Sequence, residues 1–173
     1  MATNDWKSVL AKLDVAGGSV NPVTAKEIAQ FEEETKFLLP KSYCGYCTTI
    51  GPGILVTPDS YKISVPGAKS EHYNLLTFND VMKVVEGKPS RIREQFARSW
   101  LFAVDIGNGL YFWDPLESTQ PDDHEYAIYI MYEDYKLDRL ANTFWDFVTK
   151  ICLVSGPPGY VQSENELTFD PRE

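Results

Sequence analysis

The chain has 173 residues, 43% of them hydrophobic and 13% aromatic, which suffices for one well-filled core within the roughly 100 to 200 residues of a usual domain. Asp and Glu outnumber Lys and Arg by 25 to 16, a formal net charge of -9; a surface of that sign repels phosphate backbones and anionic lipid head groups, so direct nucleic-acid binding is not expected. No apolar run approaches the roughly 20 residues of a membrane span, and the opening MATNDWKSVLAKLD lacks the basic start and apolar stretch of a signal peptide, so the expectation is a soluble, cytoplasmic protein with no membrane partner.

Trp6 to Leu13 is a short helical pattern with Trp6, Val9, Leu10 and Leu13 on one face, stopped by Gly17-Gly18. Thr24 and Glu27 then form a capping box, and Val23 and Ile28 flank the cap at the spacing of a hydrophobic staple. The helix so started runs from Ala25 to about Thr35, turns Ile28 and Phe31 inward and leaves Glu32, Glu33 and Glu34 on a solvated edge. Pro40 can open a third helix, to about Thr49, that buries Tyr43, Cys47 and Ile50. Gly51-Pro52-Gly53 ends it. Ile54 to Thr57 and Tyr61 to Val65 are short strands around Pro58-Asp59.

Tyr73 to Phe78 reads as extended, after which Thr77 or Asn79 can cap a helix carrying Val81, Met82, Val84 and Val85. Ser90 to Ser99 is a further helix with Ile92 and Phe96 inward and Arg91, Arg93 and Arg98 as the one locally basic patch. It leads into a complete β-hairpin: apolar runs from Trp100 to Ile106 and from Leu110 to Trp113 flank Gly107-Asn108-Gly109, whose Asn-Gly pair tolerates the positive φ of a tight turn. Those runs are nearly continuous rather than alternating, which predicts strands buried on both faces at the centre of a sheet. Leu116 to Glu125 is polar and acidic and reads as an exposed loop. Tyr126 to Tyr132 is a strand that can join the hairpin, closed by Glu133-Asp134. Phe144, Phe147, Val148 and Ile151 mark a last helix, about Asn142 to Val154, ended by Gly156-Pro157-Pro158. The expected organisation is one domain over residues 1–155 and a polar tail over 156–173.

Chemistry offers three motifs, each with a plain alternative. Cys44-Gly45-Tyr46-Cys47 has the spacing of a dithiol centre or half a zinc site, but Pro40 has already started the helix. Cys152, His72 and His124 supply no second ligand pair, so neither a metal nor a redox cofactor is expected. Three cysteines, an odd number, make no disulfide framework. Asp105 and Asp114 could face each other across the hairpin as paired carboxylates, yet their Gly and Pro neighbours favour strand-end or turn roles. Gly107-Asn108-Gly109 has the wrong spacing, and no following helix, for a phosphate loop.

The stretch FEEETKFLLPKSYCGYCTTIGPG, with Phe31, Glu32, Leu39, Pro40, Tyr43, Gly51 and Gly53, resembles the opening signature of the SUKH superfamily, the Smi/Knr-like immunity and cell-wall-regulator proteins. FAVDIGNGLYFWDP is similar to that family's second block and LANTFWDFV to its closing helix. The resemblance implies an α+β domain with a curved, mainly antiparallel sheet flanked by helices. It implies no catalysis and no cofactor. For the bacterial members it implies an immunity protein that binds and neutralises a cognate secreted toxin, often a nuclease, by protein–protein contact; the alternatives are a regulatory scaffold of the cell-wall branch and an enzyme built on Cys44 and Cys47. A basic nuclease cleft and an acidic inhibitor attract each other. Glu32, Glu33, Asp122, Asp123, Glu125, Glu133 and Asp134 are the contact candidates, chosen by expected exposure and not by a family motif.

Overall fold

The aromatic hairpin lies near the middle of an eight-stranded sheet in the computed structural model, which describes residues 5–57, 59–155 and 167–173. The strands are β1 (Asp14–Val15), β2 (Gly53–Val56), β3 (Tyr61–Ile63), β4 (Trp100–Val104), β5 (Leu110–Gln120), β6 (Glu125–Met131), β7 (Leu137–Ala141) and β8 (Thr168–Pro171). They lie in the order β1-β8-β2-β3-β4-β5-β6-β7, and only the β1–β8 pair is parallel. The helices are α1 (Trp6–Leu10), α2 (Ala25–Thr35), α3 (Lys41–Thr49), α4 (Leu75–Met82), α5 (Ser90–Arg98) and α6 (Phe144–Asp146), which continues in a wider, π-type winding over Phe147–Ser155. The fold is the expected α+β class with a mainly antiparallel sheet.

The two faces of the sheet explain the continuous apolar runs of the hairpin. Phe102, Tyr111, Trp113, Ile128 and Ile130 pack toward Trp6, Phe31, Tyr43, Phe144 and Phe147 from α1, α2, α3 and the last helix. Leu101, Phe112 and Met131 pack the other way, against Phe78 of α4 and Ile92 and Phe96 of α5. Trp113 joins the layers on the first side, stacked on Phe102 at 4.2 Å and meeting Tyr43 edge-on at 4.8 Å between ring centroids. Residues of one strand alternate between two greasy surfaces, so polar positions are not needed.

Local signals place several elements as expected. Glu27 N donates to Thr24 Oγ1 at 3.2 Å and Thr24 N to Glu27 Oε2 at 2.7 Å, which completes the capping box of α2. Pro40 precedes α3, and Tyr43, Cys47 and Ile50 are buried. Gly51 adopts φ +87° where a Cβ would collide with the Asn21 carbonyl, so only glycine fits that turn. The hairpin loop is longer than a two-residue Asn-Gly turn. Its left-handed residue is Asn108, with φ 61°, and Asp105 Oδ1 accepts from Gly107 N and Gly109 N, both at 2.8 Å.

Other expectations are corrected. α4 starts at Leu75 rather than after Thr77 or Asn79, because Asn74 Oδ1 accepts from Leu76 N at 3.0 Å and Thr77 N at 3.4 Å. That start turns Leu75 and Phe78 inward and leaves Val81 and Val84 exposed. Asn79 is buried within the helix and bonds both the N–H and the carbonyl of Leu101, which ties α4 to β4. Leu116 to Gln120 is not a loop but the far half of β5, with Leu116, Ser118 and Gln120 exposed and Glu117 and Thr119 half-buried. β7, with Asp138 and Arg139, forms an edge strand where no strand was expected. The segment expected as a polar tail ends in the sheet: Thr168–Pro171 inserts between β1 and β2 and buries Phe169. Pro58, the Gly156-Pro157-Pro158 stop and residues 159–166 of the tail lie outside the described residues.

Candidate functional site

The acidic contact candidates divide between opposite ends of β6. Glu133 and Asp134 follow its last residue, whereas Asp122, Asp123 and Glu125 lie at its start. Seven residues of strand separate the groups by about 20 Å. Glu133 is exposed and accepts from Asn108 Nδ2 at 2.8 Å. Asp134, also exposed, accepts from Lys136 N at 3.0 Å. These two therefore help to close neighbouring turns beside a shallow, open surface depression that they share with Gly107, Tyr132 and Lys136.

At the other end the chain builds an acidic corner from two distant segments. The Phe37–Pro40 linker between α2 and α3 meets the start of β6, where Phe37 stacks on Tyr126 with ring centroids 5.4 Å apart, and Lys41 at the start of α3 reaches the Pro121–Asp123 turn that joins β5 to β6. Leu39 N donates to Glu32 Oε1 at 2.8 Å, Tyr126 OH donates to Leu38 O at 3.1 Å, and Lys41 Nζ meets Asp123 Oδ1 at 2.8 Å. The Asp123 carboxylate, by that hydrogen bond first and by its charge second, raises the Lys41 ammonium above its ordinary value. Glu33 on α2 and Asp122 in the turn are exposed, Glu32 and Asp123 are half-buried, and Leu38 beside them is 46% exposed. Lys41 and Tyr126 were not among the sequence candidates; neither carries a local motif, and only the tertiary contacts of α3 with the turn and of β6 with the linker reveal them.

Glu125 does not belong to this surface. It is only 2% exposed, and its carboxylate serves two helix starts at once: Oε1 accepts from Ser42 N of α3 at 2.8 Å and Oε2 from Phe144 N of α6 at 3.2 Å. Helix N-termini present unpaired N–H groups and positive potential, so a buried carboxylate is well matched there. Burial pushes the Glu125 carboxyl above its usual range, against the pull of the Ser42 and Phe144 amides, and Asp123 adds to the rise. Exposure was the criterion for choosing Glu125, and the structure removes it.

The remaining motifs resolve into structural roles. Cys44, Cys47 and Cys152 are free thiols. Burial first, then the nearby Glu32 and Glu125 carboxylates, pushes the Cys44 thiol up to about 12, and burial raises Cys47 well above its usual value. Protonated thiols are poor nucleophiles and poor metal ligands. Asp105 spends its oxygens on the hairpin loop and on Tyr111 OH at 2.7 Å. Asp114 is fully buried and held by Arg98, through Nε at 2.8 Å and Nη2 at 2.6 Å, and by Gln95 Nε2 at 3.0 Å. Burial pushes the Asp114 carboxyl up, but Arg98 and the Leu116 amide outweigh it and hold it below the ordinary carboxylate value. Among the described residues no three His, Cys, Asp or Glu side chains are grouped to hold a metal, and no helix is long and apolar enough to cross a membrane.

What the acidic corner can do is present carboxylates to a cationic surface: Glu32, Glu33, Asp122 and Asp123 outnumber Lys36 and Lys41, and Glu32 and Asp123 are fixed by hydrogen bonds. The SMI1/KNR4 family (SUKH-1) profile matches residues 22–150, from just before α2 into the last helix, and includes both segments of that corner. The β1–β8 pair lies outside the matched range. No curated protein and no solved structure matches the chain.

Proposed function

This chain belongs to the SMI1/KNR4 (SUKH-1) family, and from that premise we propose that it works by binding, as an immunity protein that neutralises a cognate secreted toxin through protein–protein contact rather than by catalysis. The reading is supported by the acidic groups on two segments that the Lys41–Asp123 ion pair and the Tyr126–Leu38 hydrogen bond hold together, Glu32 and Glu33 on α2 and Asp122 and Asp123 in the β5–β6 turn, on a chain of net charge -9. A toxin that cleaves nucleic acid needs a basic cleft, and an acidic surface both steers toward such a cleft and competes with its substrate. Glu133 and Asp134, about 20 Å away along β6, contribute to the long-range field rather than to the same contact.

The test is stoichiometric. The purified chain and the toxin domain encoded beside its gene should co-elute and the toxin activity should vanish at a 1:1 ratio. Absence of binding and inhibition with every neighbouring gene product refutes the reading. Tight binding to a neighbour that carries no toxic activity replaces it with the regulatory-scaffold alternative.

A further inference from the structure

The turn that closes the central hairpin carries a chemically labile bond. Of the chain's asparagines only Asn108 precedes a glycine. In that pair the following backbone nitrogen attacks the side-chain amide with least hindrance, because glycine sets no side chain against the imide ring that forms. Asn108 is exposed. The fold nevertheless needs both residues: position 108 adopts φ 61°, which asparagine tolerates, and a Cβ at position 109 would stand 2.7 Å from Asp105 Oδ2 and 2.9 Å from Ile130 Cδ1. The lability comes with the turn.

Two carboxylates hold the reacting groups. Gly109 N, the nucleophile, donates to Asp105 Oδ1 at 2.8 Å, and Asn108 Nδ2, the leaving group, donates to Glu133 Oε1 at 2.8 Å. Asp105 is buried and itself fixed, since Oδ1 also accepts from Gly107 N at 2.8 Å and Oδ2 from Tyr111 OH at 2.7 Å. Glu133 is exposed. An amide N–H that donates to a carboxylate resists losing its proton, because the neighbouring negative charge disfavours the amide anion. The nucleophile is thus under a firm inner catch and the leaving group under a looser outer one.

We propose that Asn108 is a site of spontaneous deamidation, with water as the co-reactant, and that Asp105 and Glu133 govern its rate. Gly109 N gives its proton to hydroxide and bonds to Asn108 Cγ; the Cγ–Nδ2 bond breaks, and ammonia leaves after taking a proton from water. Water then opens the imide at either of its carbonyls and leaves an aspartate or an isoaspartate, with nothing oxidised or reduced. The product has one more negative charge and no amide to donate, so the bond to Glu133 is lost and two carboxylates face each other where the hairpin loop meets the turn after β6. The modification parts those two turns. The inference stands apart from the protein-binding reading.

The test incubates the purified wild type, Glu133→Ala and Glu133→Gln at mildly alkaline pH, folded and in concentrated urea, and follows the products by peptide mass spectrometry and isoaspartate detection, with circular dichroism of each variant. The modification should concentrate at position 108. Folded wild type should react about tenfold or more slowly than the chain in urea, the factor that one hydrogen bond to a charged group supplies. Folded Glu133→Ala should react about threefold faster than folded wild type, Glu133→Gln, which keeps an acceptor, should stay near wild type, and all three should agree in urea. A folded wild type that reacts at the unfolded rate, a folded Glu133→Ala no faster than wild type, or a main site other than Asn108 overturns the proposal. Asn108→Asp, which installs the product's charge directly, should unfold about 2–4 °C below wild type; an unchanged unfolding temperature overturns the parting of the turns.

Discussion

Replacing Arg98, the last residue of α5, by methionine strips the buried Asp114 carboxylate of its cationic partner while keeping most of the side chain's apolar stem. Asp114 is fully buried and accepts four hydrogen bonds, two from Arg98 and one each from Gln95 and Leu116 N. Removing one side of a buried pair typically costs about 3–5 kcal/mol. The Arg98 side chain is 31% exposed, so water can reach the vacated place, and a loss of about 2–3 kcal/mol is expected. The pH dependence gives the sign of the effect. In the wild type the carboxyl is held below its ordinary value, so its contribution is complete above the ordinary carboxylate range and fades only as the pH falls through the depressed folded value. In Arg98→Met burial is no longer opposed by the guanidinium, the carboxyl rises, and protonation relieves the penalty as the pH falls toward that range. The gap between the two proteins should therefore be widest near pH 7 and narrow by about pH 5. Urea unfolding followed by tryptophan fluorescence, with buried Trp113 as reporter, measures it. A gap below about 0.5 kcal/mol, the size of an ordinary surface change, or one independent of pH, would refute the argument.

Two further outcomes test the fold and the thiols. Phe169→Ala should cost about 3–5 kcal/mol in the same urea assay, because Phe169 is fully buried between β1 and β2; wild-type stability would mean that β8 is not part of the core. With a thiol-reactive disulfide reagent near pH 7, Cys44 and Cys47 should react slowly in the folded protein and fully after denaturation, since both thiols are raised by burial. Rapid labelling followed by a Cys44–Cys47 disulfide would restore the dithiol reading.

Strong local signals survived the passage from sequence to structure. The Thr24–Glu27 box, the Pro40 helix start and the central hairpin each depend on a few adjacent residues, and each forms where its motif lies. What was not legible depends on contacts across the chain. α4 was displaced because Asn74 outcompetes Thr77 and Asn79 as the cap, while Asn79 is drawn to the Leu101 backbone 22 positions away. β7 and β8 are edge-side strands of four or five residues whose sequences, LDRLA and TFDP, lack a clean alternation. In the candidate site the exposure of Asp122 and Glu33 was readable from local polarity. The burial of Glu125 was not, because its partners Ser42 and Phe144 stand 83 and 19 positions away.

Association kinetics with the neighbouring toxin domain test the central claim most directly, because they read binding and the acidic corner together. Wild type should abolish the toxin's activity at 1:1, and Asp122→Lys with Asp123→Lys should slow association by about tenfold at low salt, with the difference shrinking as added salt shortens the Debye length to about 8 Å at 0.15 M. A toxin that stays active in the presence of excess wild type, or an association rate that ignores both the charge reversal and the salt, would contradict the account.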